Sequence, residues 1–111
     1  MQITVDDSAG TRVLRASGEA TLPGVAGLRA ALTEAWSGGR EAVLDAGGLT
    51  DIDLSGMQTI CSGHRTFQNR GGNLVVRNLP ECVRAAARQA AYDEKHSLCP
   101  NRRGDSCVWK C

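Results

Sequence analysis

Residues 43–57 restrict the folds open to this chain more than any other stretch. Val43 and Leu44 begin an apolar run that reads as a buried strand, and the pair Gly47-Gly48 interrupts it. Asp51-Ile52-Asp53-Leu54-Ser55-Gly56 then leads into Met57, Ile60, Cys61, His64 and Phe67, apolar and neutral residues at helical spacing. A buried strand that passes through a short polar loop into an amphipathic helix is the unit from which α/β domains are built. The loop places Ser55 in the first turn of the helix or one residue before it. Backbone N–H groups at such an end have no intrahelical partners, and the helix dipole adds partial positive charge there. A serine in that position either caps the helix or carries an anion well, a phosphate included.

The rest of the chain repeats the alternation. Residues 2–5 and 12–16 read as two short strands joined by a polar turn, an antiparallel hairpin at a sheet edge. Gly18 to Pro23 form a connector, after which Val25, Leu28, Leu32, Ala35 and Trp36 recur at helical spacing until Gly38-Gly39 stops them. Residues 41–46 form the third strand, which the glycine pair is expected to end. The helix of residues 55–69 should set its apolar face on the sheet, with Ser55, Thr59, Ser62, Thr66 and Asn69 on the opposite, hydroxyl-rich face. Residues 73–77 form a fourth strand. A last helix should start with Asn78 or Leu79 at its cap and Pro80 in its first turn. Its apolar stripe, Cys82, Val83, Ala86, Ala87 and Ala90, is thin, and it is expected to be the least firmly docked helix. The order β-β-α-β-α-β-α predicts a single α/β domain over residues 1–93, with a mixed sheet of about four strands joined by right-handed crossovers and helices packed on it.

The run of an apolar strand ending in Asp45, a loop, and Asp53-Leu54-Ser55-Gly56 opening a helix resembles the signature of the STAS family, the sulphate transporter and anti-sigma factor antagonist domains. The likeness extends over roughly residues 1–93. The family pattern is Asp-Ser-Ser-Gly, so Leu54 is a departure that removes one hydroxyl and leaves the acceptor serine. The resemblance implies a protein-binding module that docks on an anti-sigma factor with serine kinase activity and is released when Ser55 is phosphorylated. It implies partner-binding roles for Asp51, Asp53, Ser55 and Gly56, and the hydroxyl-rich helix face, which a partner can approach closely, adds Thr59 and Ser62. Stand-alone domains of the family also serve as small cytoplasmic subunits of lipid ABC transporters, which supplies an alternative.

Composition narrows the other classes. A net charge of +1 gives no footprint for nucleic acid or an anionic membrane, and aromatic content of 4% is too low for a base-stacking platform. No apolar run approaches the roughly 20 residues that span a bilayer. The first residues lack the basic and apolar segments of an export signal, so a cytoplasmic protein is expected. Neither a Gly-x-Ser-x-Gly elbow nor a phosphate-binding glycine loop occurs, and His64 reads as a packed core residue, so no enzyme is expected.

Residues 94–111 stand apart as an irregular, Cys-rich and His-containing tail. His96, Cys99, Cys107 and Cys111 are separated by two, seven and three residues. His-x2-Cys and Cys-x3-Cys are close-spaced pairs of the kind that hold tetrahedral zinc, and an iron centre would use the same soft ligands. A disulfide among these cysteines and plain reduced thiols are the competing readings. With a metal, the tail would make this a metal- or redox-responsive protein; no cofactor is required by the rest of the chain. Its oligomeric state is not legible in the sequence.

Overall fold

The computed structural model describes residues 1–8, 10–37 and 41–90; His96, Cys99, Cys107 and Cys111 lie outside the described residues. Seven elements follow one another: β1 (Gln2–Ser8), β2 (Thr11–Ala20), α1 (Val25–Ser37), β3 (Ala42–Ile52), α2 (Leu54–Asn69), β4 (Leu74–Arg77) and α3 (Glu81–Gln89). The strands form one sheet in the order β1-β2-β3-β4. β1 runs antiparallel to β2, while β2, β3 and β4 are mutually parallel. This is the α/β architecture that the alternation predicts, with its hairpin at one edge, and it agrees with the fold that the STAS resemblance implies.

The central strands are longer than expected. β3 does not end at Gly47-Gly48 but runs on to Ile52, and β2 runs with it to Ala20. Pairing survives because the register slips twice. Arg15 pairs with Asp45 and Ser17 with Gly48; Gly18 pairs with Leu49 and Glu19 with Asp51. At each slip β3 contributes one extra residue, the definition of a bulge. The burial pattern records both: Leu44 and Ala46 are two apart, whereas Ala46, Leu49 and Ile52 are each three apart. At Gly48 the neighbouring strand leaves no room for a side chain. A Cβ there would stand 2.8 Å from the Ser17 Cβ and 3.0 Å from the Ala16 carbonyl oxygen. The glycine pair is therefore a bulge within a strand and not its end.

The core fills the space between sheet and helices. Leu14, Leu44, Leu74 and Val76 from the strands meet Leu28 and Leu32 of α1 and Met57, Ile60 and Phe67 of α2. Phe67 is among the largest fully buried side chains, and His64 is buried beside it on the same helical face, as expected. At the far end of the helices the Arg70 guanidinium lies over Trp36, 4.2 Å from the ring centroid, a cation–π pair between α2 and α1.

The start of α3 differs from expectation. Pro80 is the N-cap, one residue before the helix, and has no side chain able to cap it. Asn78 takes a left-handed φ of 60°, which asparagine tolerates, and its amide donates to Asp45 Oδ1. Asn78 thus locks the β4–α3 turn to the β3 bulge instead of capping a helix. Of the expected apolar stripe only Val83 and Ala87 are buried; Cys82 and Ala90 face outward. α3 is held by few side chains, as its alanine content predicts.

Candidate functional site

The three parallel strands deliver their C-terminal ends to one edge of the sheet, the place where ligands of open α/β folds gather. β2 ends at Ala20 and β3 at Ile52, and the two ends stay joined because Asp53 N donates to the Ala20 carbonyl. Asp53 then turns the chain into α2 as its N-cap. Its Oδ1 accepts from the Ser55 hydroxyl at 2.5 Å and from Gly56 N at 3.0 Å, and its Oδ2 accepts from Leu22 N at 2.9 Å. One carboxylate thereby fastens the first turn of α2 to the β2–α1 connector. The Ser55 hydroxyl, followed by the Gly56 N–H, holds the Asp53 carboxyl below the usual carboxylate range, so it is ionised at neutral pH.

Ser55 lies in the first turn of α2, as expected, but Asp53 and not Ser55 supplies the cap. Its side chain is half-buried and is not sealed beneath the domain. Gly56 is buried because α2 rests directly on the end of β2. A Cβ at that position would run into the Ala20 carbonyl oxygen and stand 2.8 Å from Ile52 Cγ1. The glycine after the serine is therefore demanded by backbone packing.

The remaining expected residues are distributed unequally around this unit. Asp51 is exposed; its Oδ1 accepts from the next N–H, Ile52 N, at 2.8 Å, and it stands opposite Glu19 in the β2–β3 register. Ser62 is exposed two turns further along α2, and its carbonyl accepts from the Thr66 hydroxyl. Thr59 departs from the expected outer face. It is only 7% exposed, and its hydroxyl donates back to the Ser55 carbonyl at 2.8 Å. Burial is what keeps the Thr59 hydroxyl from a visitor, since Thr66 makes the same back-bond and stays exposed. The hydroxyls left outward are those of Ser55, Ser62 and Thr66.

Two features escaped the sequence reading. Leu22 and Leu54 are 69% and 52% exposed, and both flank the Asp53–Ser55 unit. In the sequence Leu54 reads only as a missing hydroxyl; in the fold it is an apolar side chain on the surface. Behind the edge lies a second carboxylate knot. Asp45 Oδ1 accepts from Gly47 N at 3.0 Å and from Asn78 Nδ2 at 3.2 Å. The Gly47 N–H, then the Asn78 amide, lowers the Asp45 pKa and fixes the first bulge. An aspartate closing an apolar run just before two glycines was the available signal for it.

Residues 3–100 match the family model described as Mlab, STAS domain. The chain belongs to this STAS family. No protein of curated function matches the sequence. Among solved structures, the STAS domain is similar to part of Mglu, with 28% identity and a TM-score of 0.63 over 70% of this chain and 19% of that one. It is similar to the anti-sigma factor antagonist SpoIIAA in its unphosphorylated form, with 20% identity and a TM-score of 0.58 over 68% of this chain and 71% of SpoIIAA. It is also similar to part of the murine anion transporter Slc26a9, with 14% identity and a TM-score of 0.64 over 84% of this chain and 16% of the transporter. At those identities the last two establish the fold alone. Among the described residues no helix is long and apolar enough to cross a membrane.

Proposed function

We propose that this STAS domain is a regulatory protein-binding module of the anti-sigma factor antagonist kind, non-catalytic itself, whose partner is an anti-sigma factor with serine kinase activity and whose off switch is phosphorylation of Ser55. The observation that carries the reading is the Ser55 hydroxyl: half-exposed in the first turn of α2, hydrogen-bonded to Asp53, and bordered by exposed Leu22 and Leu54.

The switch follows from charge. A phosphate adds about −1.5 to −2 charges at neutral pH. On Ser55 it replaces the hydroxyl hydrogen that Asp53 Oδ1 accepts, so a donor contact becomes a repulsion between anions. The helix N-terminus offsets part of that cost, and the phosphate can point into solvent. A partner covering Leu22 and Leu54 would have to strip water from the phosphate, and such uncompensated burial costs several kcal/mol. Binding is then lost while the fold persists. Incubation with ATP and the cognate kinase, followed by peptide mass spectrometry, should find phosphate on Ser55. Stoichiometric phosphate elsewhere with none on Ser55 overturns the assignment.

A second reading, the small subunit of a lipid ABC transporter, is favoured by the matching family model, which is described as Mlab and not as an anti-sigma factor antagonist. Co-purification with an ATPase subunit in place of a free kinase separates the two.

A further inference from the structure

We propose that Leu22 and Leu54 form the apolar centre of a docking surface for a partner segment that presents aliphatic side chains flanked by lysine or arginine. The inference rests on the reading of the Ser55 edge as a protein contact and adds the chemistry of what binds there.

Three large apolar side chains are exposed among the described residues, and two of them, Leu22 and Leu54, stand at this one edge. The third, Val5 of β1, pairs with Leu14 of β2, which is six residues of strand, about 20 Å, from the end of β2. Neither leucine hangs on a loose loop. Leu22 N donates to Asp53 Oδ2, and Leu54 follows Asp53 as the first residue of α2. Asp53 therefore holds both backbones before any partner arrives, which lowers the ordering cost of binding.

The rim of the patch defines the partner's charge. Glu19 and Asp51 occupy facing positions of the β2–β3 pairing, and both are exposed. Like charges opposite one another are unfavourable. The ion pairs among the described residues, Arg12–Asp7, Arg15–Asp6 and Arg88–Glu81, involve neither of them. The Met1 amino group also lies at this edge, beside Gly18 and Gly24, so Glu19, Asp51 and ionised Asp53 set three carboxylates against one cation, and the surface is apolar at its centre and net anionic around it. A segment with aliphatic side chains in the middle and cations outside matches both features; an acidic segment meets repulsion. Departure from the family's serine at Leu54 is thus a gain of contact area.

The test uses the full chain labelled with 15N, titrated with an amidated amphipathic peptide of leucine and lysine, and with the same peptide carrying glutamate in place of lysine. Saturable amide shifts centred on residues 19–24 and 51–56 are expected with the lysine peptide and none with the glutamate peptide. The double variant Leu22→Ser/Leu54→Ser should melt like the parent and bind at least about tenfold more weakly, since losing even part of two leucine contacts is worth that much. Shifts centred elsewhere, no saturation, equal binding of the acidic peptide, or an unaffected double variant each overturn the docking surface. A Ser55→Asp arm separates this proposal from the phosphorylation reading. If the double variant loses binding but Ser55→Asp does not, the surface stands and the switch falls; the reverse result removes the surface and leaves the switch.

Discussion

Replacing Gly56 by alanine sets two effects of opposite sign against each other. Helix propensity favours the change, because alanine inside a helix is better than glycine by about 0.5–1 kcal/mol. Packing opposes it. The added methyl would meet the Ala20 carbonyl oxygen and lie 2.8 Å from Ile52 Cγ1. The carbonyl is backbone at the end of β2, already joined to Asp53 N, and cannot rotate aside as a side-chain tip can. Relief requires α2 to lift from the sheet edge and pull Asp53 away from Leu22 N. Overpacking of this kind costs about 1–3 kcal/mol, and a rigid backbone obstacle belongs at the upper end. The net effect of Gly56→Ala should be a loss of about 2 kcal/mol, a fall in Tm of roughly 8–16 °C for a domain of this size. Gly27, in α1, has nothing within 4 Å of a built Cβ and is exposed. Gly27→Ala should therefore stabilise by about 0.5–1 kcal/mol. Thermal melts by circular dichroism, with urea titrations as a second measure, read both. A Gly56→Ala protein as stable as the parent, or more so, would refute the claim that α2 rests on the β2 terminus at this point.

His64 is buried, and burial pushes its imidazole pKa below 6.5, so the unfolded chain takes up the proton more readily; stability should fall as pH drops through about 6.5, and His64→Leu should abolish that step. Asp45 and Asp53 have depressed pKa values, so the stability they provide is full above about pH 4 and lost as pH falls through their folded-state values; melting temperature against pH should show a second descent there, shallower in Asn78→Ala. α3 buries only Val83 and Ala87, so its amides should exchange faster than those of α1 and α2 in native-state hydrogen exchange, and Val83→Ala should widen the gap. Arg70→Ala should lower stability by about 0.5–1 kcal/mol through loss of the contact with Trp36, measured by urea unfolding.

What the sequence made legible follows from how local each signal is. Helical spacing in residues 25–36 and 55–69 depends on side-chain period alone, and both helices lie within a residue or two of the expected limits. The glycine pair is ambiguous in sequence because a bulge and a strand end use the same residue; the difference lies in Ser17 and Ala16 of the neighbouring strand, which the local pattern does not contain. Asn78 leaves the cap position to Pro80 because the partner of Asn78 is Asp45, 33 residues earlier. Thr59 sits at the margin between the faces of α2, where packing against the rest of the domain and not helical period decides its burial. Asp53, Ser55 and Gly56 were found together because capping, anion affinity and close packing all act within four residues.

The most direct test of the Ser55 switch is calorimetric titration of the cognate anti-sigma factor kinase with the unmodified domain and with the domain phosphorylated at Ser55, alongside thermal melts of both. The account predicts that phosphate removes measurable binding while the domain still melts as one cooperative unit. Undiminished binding by the phosphorylated domain would contradict it, and so would loss of binding through unfolding of the domain.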